Sequence, residues 1–371
     1  MQIKSFDNFS DNLLSEFNKY ETEFEYFPFQ NLYWLKHWHN TFLNNKKNKL
    51  KIFIIYQDKI PLLILPFCIK KIFSISILEW AGGLCSDYHG PIINKKFNKI
   101  DNFYFYKFWN EILKELTHID LILLQKQKKF YNIINPFIEY LNNNVYRHKA
   151  YQINLEKNFE SSIQKKIKKI IYNNKRQYKR LENLGSVYFL EPTDYDKKVS
   201  IISKMIELKE RRYIQTKTWN MFADPRYKNF YNNLINVPLN NIEVNVIALI
   251  CNDEIIACHL GLVHRGTFYY LMPSFDFRGW GLYSPGNILL EFLIKNSRKK
   301  KLNIFDFSIG DEDYKKKWAN EVVNLYEYSS ANTIQGFVCL KVYLFLILIK
   351  KIKYLNLIIR KISIKIRSWI I

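Results

Sequence analysis

The chain has 371 residues, of which 48% are hydrophobic and 17% aromatic, and a formal net charge of +22 at pH 7. This composition is sufficient for packed cores and excludes a disordered or fibrous chain. The length favours two domains. The cysteines form no C-x-x-C pair, so we expect neither a disulfide framework nor a zinc site, and the pattern suits a reducing cytoplasm. They are Cys68, Cys85, Cys251, Cys258 and Cys339.

Residues 1–17 carry acids and no apolar core, which argues against a signal peptide. No apolar run approaches the ~20 residues that a membrane-spanning helix needs. The high positive charge has two interpretations that the composition leaves open. It is either the footprint of a polyanionic partner or the Lys- and Asn-rich residue usage of an AT-rich genome.

The first half of the chain predicts a hairpin, a loop, a helix and a further strand. Apolar runs at 51–56 and 60–69 flank turn residues, and a loop at 79–91 precedes an apolar pattern at 103–116. Residues 119–125 are typical of another strand. Short β-rich runs separated by turn residues are the sequence signature of hairpins.

A strongly basic segment, residues 161–184, follows. Its apolar residues keep roughly helical spacing and its other faces are filled by Lys and Arg, including Arg176 and Arg180. The spacing predicts a helix whose basic face is either simply solvated or directed at an anionic cofactor or acceptor. A second helix is predicted over residues 197–213.

The second half repeats the element order of the first. Three apolar runs are separated by the turns Asn252-Asp253 and Arg265-Gly266, and a loop with three glycines and a proline opens onto an apolar helix at 287–295. A short strand at 303–307 follows. We therefore predict two copies of one αβ unit. The loop-to-helix junction is a candidate anion site, because a helix N-terminus carries a positive dipole end.

Residues 337–371 hold eight Lys or Arg residues and no acid, between short apolar clusters. The clusters are too short to span a bilayer. The segment is either a helix packed on the protein or an interfacial helix on an anionic membrane surface.

Three features of the second half occur together: Ser284-Pro285-Gly286 before the helix, Asp306-Phe307 on the last strand, and the run from Gly310 to Lys315 with Trp318 behind it. The combination resembles the GNAT-like acetyltransferases of the cellulose-biosynthesis CelD type, which are related to the FemAB aminoacyltransferases. The resemblance covers about residues 160–320. It implies an α/β (α+β) fold with two tandem GNAT-like domains and mixed central sheets, at 1–150 and 151–330. A basic helical tail would occupy 331–371.

The resemblance also implies an acyl-CoA co-substrate, such as acetyl-CoA, at the loop-to-helix junction, and no metal. Arg278 begins an Arg-x-x-Gly sequence like that of the GNAT phosphate loop, but Tyr283 occupies the place of its last small residue. The better candidates for the phosphates are Ser284, Pro285, Gly286 and Asn287. Proline suits a helix start and glycine permits close backbone approach.

Acyl transfer to an amine requires a group that removes a proton and a donor for the developing oxyanion. Asp306 is the first candidate base, because a carboxylate within an apolar strand is costly unless it is hydrogen-bonded or used. Asp276 and His259 are the next candidates. The resemblance assigns Lys315 to carbonyl or phosphate stabilisation. A structural carboxylate, a core histidine and a solvated lysine remain the alternatives at these positions.

Substrate contacts follow from the same resemblance. Asp87-Tyr88 in the first half matches its acidic–aromatic pair and is predicted to line the acceptor side. The remaining candidates are Gly310, Asp311 and Tyr314 after the last strand, with Arg176 and Arg180 on the basic helix.

The function that these patterns favour is acyl-CoA-dependent N-acyl transfer to an amino sugar or other cell-envelope or polysaccharide precursor. The acceptor would be a small-molecule or lipid-linked amine. A FemAB-like transferase using aminoacyl-tRNA, and a noncatalytic module binding membrane or nucleic acid, are the alternatives. We expect a cytoplasmic protein, peripheral at the inner membrane face.

Overall fold

The computed structural model describes residues 1–43, 48–99, 101–129, 132–142, 144–156 and 159–350, with the side chains of 98–99, 159–166 and 350 outside the description. The strands are β1 (Gln2–Phe6), β2 (Phe24–Glu25), β3 (Lys49–Gln57), β4 (Ile60–Ile72), β5 (Ile75–Trp80), β6 (Ile92–Asn94), β7 (Leu121–Lys128), β8 (Asn144–Asn154), β9 (Val187–Leu190), β10 (Ile242–Cys251), β11 (Glu254–His264), β12 (Thr267–Phe275), β13 (Ile304–Ile309) and β14 (Glu321–Ala331).

The helices, likewise in chain order, are α1 (Asp11–Tyr20), α2 (Leu32–Phe42), α3 (Asn102–Glu115), α4 (Pro136–Tyr140), α5 (Phe159–Glu182), α6 (Tyr195–Thr216), α7 (Pro225–Asn233), α8 (Pro285–Lys299), α9 (Asp313–Trp318) and α10 (Ile334–Lys350).

The chain forms two compact units. One contains Met1–Arg147 and the chain from Leu325 onward, and the other contains His148–Asn324. The first unit is therefore assembled from two separated segments, whereas the second is continuous in sequence. The predicted domain ranges 1–150, 151–330 and 331–371 remain predictions.

The sheet of the first unit has the strand order β1-β3-β4-β5-β7-β14. β3 and β4 form the predicted hairpin, whose turn residues Asp58 and Lys59 both have positive φ. β5 and β7 are parallel, with Ile77 opposite Leu121, because the helix α3 connects them. β7 then pairs with β14 in the antiparallel direction. The sheet is mixed, as predicted.

The second unit repeats this arrangement. Its strand order is β8-β13-β12-β11-β10-β9. β10, β11 and β12 form an antiparallel meander with a tight turn at Asn252 and Asp253, whose φ values are 49° and 63°. α8 then crosses over to β13, which is parallel to β12. The hairpin, loop, helix and parallel strand thus recur in both units, which confirms the predicted tandem αβ fold.

The helices predicted for the second unit are confirmed, with small shifts at their ends. The basic segment forms α5, of which the described part buries Ile167 and Leu181. α8 begins at Pro285, where the missing N–H costs nothing, and it buries Leu289 and Leu293 against the sheet. α5 and α8 pack into one apolar core, and buried Asn174 of α5 donates to Glu291 of α8 at 2.7 Å.

Candidate acyl-transfer site

The two central strands of the second unit separate beside α8. β12 and β13 pair as parallel strands at three positions, of which the last joins Tyr269 to Asp306. Beyond that pair β12 continues to Phe275 and β13 to Ile309. Two parallel strands that stop pairing leave backbone polar groups along their facing edges, and an extended chain containing amides binds such an edge well.

A β-bulge lies where the strands separate. On β11 the consecutive residues Leu260 and Gly261 stand opposite Met272 and Tyr270, so Leu271 is the extra residue of β12. A bulge changes the direction in which the local N–H groups point. The backbone N–H groups at Leu271 therefore do not follow the regular ladder of β12. The sequence carries no signal for this bulge.

Asp306 lies at the point where the strands separate and is buried, with 1% of its surface exposed. Its Oδ2 accepts a hydrogen bond of 2.6 Å from Gln152 Nε2, and its Oδ1 accepts one of 2.7 Å from the Ser308 N–H. Burial and then the Asp306 charge raise the pKa of the neighbouring Tyr269 hydroxyl. The carboxylate is thus fixed in place by two donors, as a positioned acid–base group needs to be.

Ser308, two residues further, is a feature that sequence reasoning missed. Its φ of 59° lies in the left-handed region, which a residue with a side chain adopts at a cost. The side chain is buried, and its Oγ has no hydrogen-bond partner among the described residues. Strain of this kind is often found beside binding sites.

The loop between β12 and α8 is built around Asp276. Its Oδ1 accepts hydrogen bonds from the N–H groups of Arg278 and Gly279, at 2.9 and 3.3 Å. This is the turn-forming use of an aspartate, which an asparagine performs equally well. The structure therefore favours Asp276 as the residue that shapes the loop, and its role as a base stays a prediction.

The junction of this loop with α8 contains the predicted cofactor residues. Ser284 is in the left-handed conformation, and its carbonyl accepts hydrogen bonds from the N–H groups of Asn287 and Ile288 at 3.0 and 3.2 Å. Of these two groups the Asn287 N–H belongs to the predicted phosphate site, and it is already bonded within the protein. A Cβ added at Gly286 would lie 2.9 Å from Phe275 Cδ1, so a bulkier residue there disturbs packing as well as any ligand.

Three arginines surround the same loop. The guanidinium of Arg180 on α5 lies 5.0 Å from the ring centre of Tyr283. Those of Arg212 on α6 and Arg278 in the loop lie 5.6 and 5.9 Å from the ring of Phe277. A guanidinium over an aromatic ring can still donate N–H groups to an anion. One nitrogen of Arg180 already donates to Gln177 at 2.9 Å and one of Arg212 to Gln215 at 2.8 Å, which leaves their other donors for a ligand. The positive charge at this junction thus comes chiefly from the guanidinium groups of these three arginines, and less from the positive end of the α8 dipole.

Arg176 lies one turn before Arg180 on α5 and is exposed. Sequence reasoning selected Arg176, Arg180 and Arg278 but missed the stacking and the contribution of Arg212. The stacked aromatic residues were the available signal, since the loop holds Phe277, Trp280 and Tyr283 within seven residues.

The segment after β13 is held together by Lys315. Its Nζ donates to the Ile309 carbonyl at 2.8 Å and forms an ion pair with Glu312 at 3.0 Å. Gly310 has a φ of 134°, and a Cβ there would lie 2.7 Å from Lys315 Nζ. The buried ammonium therefore fixes this turn, and its predicted contact with a donor carbonyl or phosphate stays a prediction.

Asp311 and Tyr314 lie on either side of that turn. The Tyr151 hydroxyl donates to Asp311 Oδ1 at 2.5 Å, and this bond, followed by the ion pair with Lys316, lowers the pKa of Asp311. Tyr314 packs edge-on against Phe307, and burial raises the pKa of its hydroxyl. Asp311 is the more exposed of the two and is the better placed to meet a substrate.

Asp87 and Tyr88 belong to the first unit. Tyr88 is completely buried, with its ring 5.0 Å from Phe27 and 5.9 Å from Phe29. It packs the core of that unit, which corrects the expectation that its ring lines an open acceptor surface. Asp87 is half-buried near Lys126, whose Nζ donates to the Ser86 carbonyl at 2.7 Å.

His259 is a buried core residue of the second unit. Its ring stacks on Tyr270 at a centre-to-centre distance of 4.4 Å, and neither ring nitrogen has a hydrogen-bond partner within the described part of the chain. Burial, aided by the charge of Lys209, holds the pKa of His259 well below its usual value. The neutral ring is a poor base, so the structure favours packing as its main role.

This burial predicts a specific pH dependence of stability. The folded pKa of His259 lies below the unfolded value of about 6.5, so at lower pH the unfolded chain binds the extra proton and stability falls, by up to about 1.4 kcal/mol per pH unit. His259→Leu should remove that component between pH 6.5 and 5. Urea unfolding at several pH values measures the slope. His89, whose pKa burial also lowers, contributes with the same sign in both proteins. An identical slope for both proteins would contradict the assignment.

Comparison with known proteins agrees with this geometry. Residues 168–316 match the acetyltransferase (GNAT) domain family. The fold is that of the GNAT acyltransferases. The match extends from α5 to α9 and so includes the diverging strands, the loop and α8. None of the curated proteins with which the sequence was compared matches it.

Solved structures with a similar fold span nearly the whole chain. FemX is 9% identical, with a TM-score of 0.58 over 88% of this chain and 97% of its own. L-PGS from Bacillus licheniformis is 11% identical, with a TM-score of 0.52 over 91% of this chain and 96% of its own. A conserved protein of unknown function from Bacteroides thetaiotaomicron is 11% identical, with a TM-score of 0.51 over 88% and 100%. At these identities the likeness establishes the fold and leaves donor and acceptor undecided.

Proposed function

We propose that this protein is an N-acyltransferase that uses an acyl-CoA donor. The observation that carries the proposal is the divergence of β12 and β13 beside an arginine-lined loop and the N-terminus of α8. The pantetheine chain of CoA contains two amides, and it suits the unpaired strand edges. The phosphates of CoA suit Arg180, Arg212 and Arg278, because guanidinium groups bind phosphate oxygens through paired hydrogen bonds.

In the proposed reaction the thioester carbon lies where β12 and β13 separate. The acceptor amine loses a proton and attacks this carbon, the carbonyl oxygen becomes an oxyanion, and the C–S bond then breaks to release CoA thiol. A backbone N–H at the Leu271 bulge would stabilise the oxyanion, since pre-oriented donors are effective there. Asp306 would accept the proton of the amine, directly or through a water molecule.

The acceptor class rests on the resemblance to the CelD type. An amino sugar, or another amine of a cell-envelope precursor, would enter from the side of Asp311 and Tyr314. Exposed Asp311, with its lowered pKa, is ionised at neutral pH and would attract an ammonium or accept hydrogen bonds from sugar hydroxyls.

A donor of a different kind is favoured by one observation. The described part of α5 exposes a row of cations that continues away from the loop: Lys168, Lys169, Lys175, Arg176 and Lys179. Three phosphate groups of CoA leave most of this row unused, whereas the backbone of an aminoacyl-tRNA could occupy it. This supports a FemAB-like transferase as the second candidate.

A donor comparison decides between the two. We expect the protein to release CoA thiol from acetyl-CoA or a longer acyl-CoA when glucosamine is present, with the acyl group found on the amine by mass spectrometry. Aminoacyl-tRNA tested in parallel should give no transfer. The second candidate instead predicts transfer from aminoacyl-tRNA and tRNA binding that weakens steeply with salt. Transfer from aminoacyl-tRNA without any thiol release would replace the proposed donor by the second candidate.

A further inference from the structure

The helix α10, in the first unit, exposes large apolar side chains. Phe337, Val342, Phe345 and Leu348 have 52%, 53%, 61% and 61% of their surface exposed. Among residues 334–349 Gly336 alone is buried. A row of large apolar side chains in water is unusual, and contiguous patches of this kind mark binding surfaces.

Two sets of polar contacts hold α10 on the first unit. Thr333 Oγ1, just before the helix, donates to Asp120 Oδ1 at 2.7 Å. Gly336 lies so close to the chain that an added Cβ would be 1.9 Å from the Asp120 carbonyl oxygen. The first turn of the helix is thus held by a close backbone contact. This contact buries little of the apolar surface of the helix.

A second polar contact lies two turns further along. The hydroxyl of Tyr343 donates to the buried carboxylate of Glu327, and Gln125 Nε2 donates to both of them, at 2.8 Å to Glu327 and 2.6 Å to Tyr343. Arg147 completes the group with an ion pair to Glu327 at 3.1 Å. These bonds determine which side of α10 faces the protein, and therefore which side chains face outward.

The charge of the segment indicates the chemistry of its partner. Residues 337–371 contain eight Lys or Arg residues and no Asp or Glu in sequence, and the part of this predicted tail from 351 to 371 lies outside the described residues. Lys341 is exposed on α10 itself, with its ammonium 5.0 Å from the ring of Phe337. The partner must therefore offer both an apolar region and negatively charged groups. Nucleic acid offers the charge but does not account for exposed aliphatic side chains.

We propose that α10 docks the protein on the surface of a bilayer rich in anionic lipid. The apolar side chains enter the boundary between headgroups and acyl chains, and the cations stay among the phosphates. No helix in the described ranges is long and apolar enough to cross a membrane.

Substitutions on the exposed face test the proposal without disturbing the fold. The full chain should co-sediment with vesicles of phosphatidylcholine and phosphatidylglycerol at 7:3 in low salt, and at least tenfold less with phosphatidylcholine alone. The double variant F345S/L348S should lose at least tenfold in binding to the anionic vesicles. Deletion from residue 333 is a poorer test, because it removes Tyr343 from buried Glu327.

The matched control is F73S/I214S, which removes two equally large exposed apolar side chains that do not belong to α10, at 83% and 70% exposure. It should bind vesicles as the unchanged protein does, and both double variants should keep the same urea midpoint. Equal binding to both vesicle types, or equal losses in both double variants, would overturn the proposal. So would loss of RNA binding, with vesicle binding intact, in F345S/L348S.

Discussion

Asp306→Asn lowers kcat by about 10²–10⁴, because removing a positioned proton-transfer group has effects of this size. The substitution keeps the shape of the side chain and removes its charge. One of the two donors, Gln152 Nε2 or the Ser308 N–H, would then face an amide NH₂, so we also expect a stability loss of about 1–3 kcal/mol. Thiol release measures kcat, and urea unfolding measures the stability.

Asp276→Asn is the matched control for that experiment. It removes the same charge from the same unit, yet an asparagine oxygen can still accept from the N–H groups of Arg278 and Gly279. We expect kcat within a few-fold of the unchanged protein. The reverse pattern would move the base from Asp306 to Asp276.

The double variant Arg180→Ala and Arg212→Ala should raise KM for the acyl-CoA donor by about 10²-fold or more. Each charge-assisted hydrogen bond contributes about 1.5–3 kcal/mol, and about 1.4 kcal/mol corresponds to a factor of ten. Because both arginines meet the loop and not the reacting atoms, kcat at saturating donor should change little. Steady-state kinetics with acetyl-CoA separates the two parameters.

Dephospho-CoA derivatives sharpen this test. The increase in KM caused by the arginine substitutions should be smaller for an acyl donor that lacks the 3′-phosphate if one of the arginines binds that group. Lys197→Ala with Lys299→Ala removes the same total charge from exposed positions on α6 and at the far end of α8. Equal KM values for the two double variants would show that general charge, and not the arginine site, attracts the donor.

The local parts of this fold were predictable from the sequence. The turn at Asn252 and Asp253 requires two residues that tolerate positive φ, and Asn and Asp are among the few that do. The start of α8 follows from Pro285 and an apolar run of helical period. The recurrence of the same order in both halves then gave the tandem architecture, since each half must bury one face of its own sheet.

The strands β8 and β14 escaped prediction for a physical reason. Both strands contain charged residues in their interiors, including Arg147 and Glu327. In the sequence alone, such residues are typical of an exposed segment. Glu327 is nevertheless buried, because Arg147, Gln125 and Tyr343 satisfy its oxygens from distant parts of the chain. A buried carboxylate is recognised as such only after its partners are known.

The candidate site was predictable in its residue types and not in its arrangement. Asp306 is recognisable as an acid within an apolar strand, and the loop glycines are recognisable because they precede an apolar helix. The bulge at Leu271 depends on the register of β11 against β12, and the arginine cluster depends on α5 and α6 both ending near one loop. Neither property is encoded in a short stretch of sequence.

The return of the chain to the first unit has a consequence for biosynthesis. β7 acquires its neighbour β14 only after the ribosome has produced the chain beyond Leu325. At about 5–20 residues per second, synthesis of the intervening segment takes on the order of 10–40 s. During that interval the newly made β7 presents an unpaired edge, which invites pairing with other nascent chains. The second unit is continuous in sequence and can fold before the first, which is completed only when the segment from Leu325 onward has been synthesised.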